Sequence, residues 1–73
     1  MNRYHINLFY SEEDGGWIAD VPDLEGCSAW GANAQEALAA VEQAQQLWLE
    51  AARERGLPIP QPKYRPTVKQ ARG

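Results

Sequence analysis

Asp14-Gly15-Gly16-Trp17-Ile18-Ala19-Asp20-Val21-Pro22-Asp23-Leu24-Glu25-Gly26-Cys27-Ser28-Ala29-Trp30-Gly31 is the stretch that decides the fold. It opens on paired glycines, which accept the positive φ of a hairpin loop without a Cβ clash. Trp17 to Val21 then reads as a strand. Pro22 has no N–H to give a ladder and ends that strand. Asp23-Leu24-Glu25-Gly26 has turn composition and leads into a third short strand, Cys27 to Trp30, closed by Gly31.

The flanks extend the same pattern. Residues 3–10, RYHINLFY, alternate, with Tyr4, Ile6, Leu8 and Tyr10 on one face and Arg3, His5, Asn7 and Phe9 on the other, as a half-buried strand requires. On the C-terminal side, Asn33 followed by Glu36 has the spacing of a capping box. Residues 34–55 contain no Gly or Pro and place Ala37, Leu38, Val41, Ala44, Trp48 and Ala52 at helical spacing. Gly56, after Arg53 and Arg55, marks the helix end. Prolines at 58, 60, 62 and 66 exclude helix beyond it, and Leu57 and Ile59 are expected to dock as a short edge strand. The expected class is α+β: an antiparallel three- to four-stranded sheet with one long helix on one face, in the order β-β-β-α-β. Residues 1–60 are expected to form the domain and residues 61–73 a basic, proline-containing, flexible tail.

A chain of 73 residues and 8.2 kDa has room for one small core. Eleven of its residues are alanine, which thins that core further. A single cysteine, Cys27, cannot form an internal bridge, and no apolar run has the length of a membrane span, so the reading is a soluble, cytoplasmic chain. Charge is unevenly placed. Residues 1–56 carry three basic residues against all ten acids, a net of −7, while residues 57–73 carry Lys63, Arg65, Lys69 and Arg72 and no acid, a net of +4. The acidic body repels phosphate backbones and attracts a basic protein.

No residue set signals catalysis. Asp20, Asp23 and Glu25 lie close in sequence, as two-metal chemistry would need, but they flank a proline turn where solvated acids are ordinary. His5 is the only histidine, so no zinc set exists within one chain. Cys27 would need a partner that lowers its pKa to act as a nucleophile, and a small buried thiol is the plainer reading. Trp17, Trp30 and Trp48 could stack bases in a basic groove, yet their surroundings are acidic, which favours core or interface packing. No catalytic, cofactor-binding or metal-binding residue is assigned.

The run from Asp14 to Gly31, followed by Asn33-Ala34-Gln35-Glu36-Ala37-Leu38, resembles the HicB-like antitoxin family over roughly residues 3–60. The resemblance rests on a Gly-Gly-aromatic turn and strand, a V-P-D-L-x-G-C segment, and a capped E-A-L helix. It implies a partial RNase H fold without that enzyme's working carboxylates. It also implies a partner, a small basic RNA-cleaving toxin of HicA type. Longer members carry a C-terminal DNA-binding domain that the proline-rich 17 residues after Gly56 are not expected to supply, so nucleic-acid binding is not expected. Asp20, Asp23 and Glu25 are the candidates for steering the partner, and Phe9, Trp17 and Trp30 for the buried contact. An apolar sheet face without cover predicts a homodimer or larger symmetric assembly. Two alternatives stay open: a stand-alone module of the same fold with another partner, and a small nuclease.

Overall fold

The structure, a computed structural model, describes residues 4–65. It contains β1 (Asn7–Ser11), β2 (Gly16–Asp20), β3 (Ser28–Gly31) and α1 (Ala34–Glu54). The three strands form one antiparallel sheet in the order β1-β2-β3, with α1 on one face. Register is continuous across the sheet: Leu8 opposes Ala19 and Ala19 opposes Ala29, while Phe9 opposes Ile18 and Ile18 opposes Trp30.

Both ends of the helix are fixed by the residues that predicted them. Asn33 Oδ1 accepts from the Glu36 N–H at 2.8 Å. Glu36 Oε1 in turn accepts from the Ala32 N–H at 3.1 Å, one residue before the usual partner in a capping box. At the far end Gly56, at φ 69°, lets its N–H reach Arg53 C=O and the Leu57 N–H reach Ala52 C=O, a Schellman closure. The helix buries Ala37, Val41, Leu49 and Ala52, with Ala44 and Trp48 packed beside them. Leu49, which the spacing did not single out, is buried, while Leu38, which it did, sits exposed on the flank.

Opposite the helix the core is completed by Tyr4, Ala19, Val21, Leu24 and Cys27. The closest approach is at Gly31, where an added Cβ would lie 2.7 Å from Ala37 Cα and as close to Glu36 C. Helix backbone and strand backbone are therefore nearly in contact, and α1 lies chiefly over β3 and β2 and least over β1.

The sheet has three strands among the described residues, and Leu57–Ile59 adds no fourth. The Leu57 N–H is already committed to Ala52, and Pro58 and Pro60 have none, so only Ile59 in this segment retains a donor for a ladder. Instead the chain turns back past the start of β1. The Tyr4 hydroxyl donates to Pro60 C=O, the His5 and Tyr64 rings lie 4.9 Å apart, and the Lys63 and Tyr64 N–H groups both donate to the Asp23 carboxylate.

Gly31→Ala should destabilise the protein by about 2–3 kcal/mol, because the added methyl meets backbone that can yield only by lifting the helix. Gly16→Ala should cost less, since its Cβ meets the exposed Trp30 indole, a side chain that can shift at the cost of its hydrogen bond to Asp14, rather than backbone. Urea denaturation of the two variants checks the order; equal losses would refute the account of the helix seat.

Candidate protein-binding face

Strand parity divides the sheet into two unlike faces. Ile6, Trp17, Ala19 and Ala29 point to the helix side, where Trp17 packs on the core and meets Tyr10 edge-on at 5.8 Å. Phe9, Ile18 and Trp30 oppose one another on the other side, which no element covers among the described residues. Phe9 and Trp30 are each 48% exposed and flank the half-buried Ile18. Trp30 is held flat by two features: its indole N–H donates to Asp14 C=O at 3.1 Å, and its ring lies over Gly16 where any side chain would collide.

Acids bracket this apolar row. On one flank Asp20 stands in the adjoining row with Asn7 and Ser28. Beyond the other flank the hairpin loop holds Glu12, Glu13 and Asp14, all exposed, with Asp14 Oδ2 accepting from the Ser11 hydroxyl at 2.8 Å. The arrangement is an apolar row with acids to either side, the composition of a protein-binding surface with a dry centre and a polar rim.

The six residues singled out in the sequence therefore do not form one surface. Phe9, Trp30 and Asp20 share the open face. Trp17 is on the helix side. Glu25 is exposed in the β2–β3 turn, where its carbonyl accepts from the Trp48 indole N–H at 2.9 Å and ties the turn to the helix. Asp23 has its carboxylate engaged by the 63–64 backbone and so serves as a clasp for the C-terminal segment. Ile18 escapes the sequence reading, although the alternation Trp17-in, Ile18-out places it at the centre of the open row.

Chemistry of the bond-making kind has little support in the geometry. Among the described residues no group of three or more His, Cys, Asp or Glu is placed to hold a metal. Cys27 is buried, and burial first, then the Asp20 charge, pushes its thiol above the ordinary value, the reverse of an activated nucleophile. Burial and then the Asp23 charge likewise push the Tyr4 phenol up.

A family model described as the HicB_like antitoxin of bacterial toxin-antitoxin systems matches residues 4–72. The chain belongs to the HicB-like antitoxin family. No curated protein and no solved structure matches it. Membership of the family suggests a toxin-antitoxin role for this HicB-like domain. No helix among the described residues is long and apolar enough to cross a membrane.

Two measurements check this reading of Asp23 and Cys27. Asp23→Ala should release the 60–65 segment at a cost of about 1 kcal/mol, seen as several-fold faster tryptic cleavage after Lys63. Unchanged cleavage would mean that the clasp is not formed in solution. Because the folded state holds the Cys27 and Tyr4 protons more tightly than the unfolded chain does, their stabilising contribution is intact below about pH 9 and is lost as pH rises through the raised folded values. Thermal melts from pH 7 to pH 11 should fall only on the alkaline side, and Cys27→Ser should remove the earlier part of that fall.

Proposed function

We propose that this protein neutralises a small, basic, RNA-cleaving toxin of HicA type by seating it on the open sheet face and so covering the surface with which the toxin holds RNA. The observation that carries the reading is the Phe9-Ile18-Trp30 row with acids on both flanks, on a domain of an antitoxin family. A protein built to grip phosphates is basic, and Asp20 with the Glu12–Asp14 loop supplies the complementary field. The aromatic row supplies the dry contact: completing the burial of a half-exposed Phe or Trp is worth roughly 1 kcal/mol or more. Rim acids set the encounter rate and the aromatics set the lifetime. The reading assigns the protein no catalytic role. Its action is steric, in the cytoplasm where RNA is cleaved.

Co-expression with a small basic toxin encoded beside it should rescue growth. Trp30→Lys should weaken the complex at least 100-fold through faster dissociation, and Asp20→Lys should slow association, most at low salt. The purified protein should cleave no RNA with or without Mg²⁺. Failure of the full-length protein to bind or rescue would leave a stand-alone module with a different partner, and metal-dependent cleavage abolished by Asp20→Asn would make it a nuclease.

A further inference from the structure

Trp30 differs from its neighbours on the open face in how it is held. Its indole lies along the sheet rather than standing away from it: the Nε1–Cε2–Cζ2 edge sits over Gly16, where a Cβ would come within 2.6 Å of all three atoms, and the N–H donates to Asp14 C=O at 3.1 Å. About half of the residue stays open to solvent, so the ring presents a π face outward. Because the N–H already has its acceptor, a partner can cover the ring without orphaning a donor. The same hydrogen bond draws the ring toward the hairpin loop, where Glu12, Glu13 and Asp14 are all exposed. That loop is itself braced, by Asp14 Oδ2 accepting from the Ser11 hydroxyl and by the Gly15 N–H donating to Glu12 C=O at 3.3 Å. No cation of the sheet competes for this place. Residues 4–52 contain nine acids and no lysine or arginine, and Lys63 and Arg65 belong to the segment that Asp23 and His5 hold at the opposite end of the strands.

On the reading of the open face as the toxin's docking surface, we infer that the exposed face of Trp30, with the Glu12–Asp14 loop beside it, is the seat of an arginine side chain of that protein partner. A cation over an indole face is drawn by the ring's quadrupole, and tryptophan is the strongest such ring. Donation from the N–H to a carbonyl polarises the ring and strengthens that pull. Arginine fits better than lysine for two reasons. Its guanidinium is planar, so it lies flat on the indole while its in-plane N–H groups reach carboxylates at the ring's margin; it is also less strongly hydrated, so less is lost on covering it. A protein that grips phosphates carries arginines for the same planar geometry. A nucleic-acid base also stacks on aromatic rings, but three carboxylates beside this one repel the phosphates that accompany a base. Ile18 and Phe9, the rest of the row, then give the apolar stem of the arginine and its neighbours a dry surface.

A probe without toxin sequence separates the seat from the toxin. Titrating the full isotope-labelled chain with the blocked peptide Gly-Arg-Gly-Arg-Gly should shift the Trp30 indole N–H resonance saturably, that line being identified by its loss in Trp30→Phe. The Trp48 indole, bonded to Glu25 C=O, should not move. The same peptide with citrulline in place of arginine keeps the shape without the charge and should bind about two- to fivefold more weakly, the range of an exposed cation–π contact. Glu12→Gln combined with Glu13→Gln should weaken the arginine peptide, most at low salt. With a cognate toxin, fluorine placed on the Trp30 ring alone should lower affinity stepwise with each atom added, because it drains the ring face of electron density and barely changes its size. Toxin affinity that ignores fluorination would overturn the inference while leaving toxin binding intact. An arginine peptide that seats as described when no toxin binds would keep the seat and remove the toxin. A shift given equally by the citrulline peptide, or given by a short uridine oligonucleotide in place of the arginine peptide, would overturn the inference. So would a Trp30 line that moves in the free chain on Lys69→Gln with Arg72→Gln, since the chain's own cations would then hold the ring.

Discussion

The seat of the helix on Gly31 governs everything else in this small protein. With no side chain at 31, the backbone of Ala37 comes down almost onto the backbone of β3. Ala19, Ala29, Ala37 and Ala44 keep the space around that contact shallow. A helix held so close to one edge of a three-stranded sheet cannot also cover the other edge. β1 is therefore left with Leu8 and Tyr10 exposed on the very face the helix occupies. A larger residue at 31 would push the helix outward, and the core would then lack the bulk to fill the gap, because alanines supply much of it.

Much of this was legible in the sequence because it depends on local rules. Prolines and glycines punctuate the strands, alternation gives each strand its two faces, and Asn33, Glu36 and Gly56 bound the helix by hydrogen bonds between near neighbours. What was not legible depends on contacts across the chain. Trp17 and Trp30 look equivalent in sequence, and only the register that sets Trp17 against Gly31 and Trp30 against Ile18 sends them to opposite faces. Asp23 reads as a solvated turn acid, and nothing local announces that a segment forty residues later will lay two N–H groups on it.

The clasp at Asp23 also shows how charge is shared between structure and surface. The acidic body and the basic C-terminal segment have opposite sign, yet the close contact between them is made by backbone N–H groups rather than by the Lys63 or Arg65 side chains. Those cations stay exposed beside His5 and Tyr64. Asp20, Glu12 and Glu13 are not engaged in that clasp, so the body keeps a negative field on its open face while its tail end presents a small positive one.

These features bear on each other through the row Phe9-Ile18-Trp30. Phe9 sits at the middle of β1 with its side chain turned away from the helix, and Trp30 sits on β3, the strand the helix presses on most closely from the other face. The two exposed rings therefore stand on unlike supports: Trp30 is fixed by its hydrogen bond to Asp14 C=O and by its seat over Gly16, whereas Phe9 has neither restraint. A partner on the open face would meet a pre-set ring at Trp30 and a more adaptable one at Phe9, so less side-chain entropy is lost on covering the first than the second.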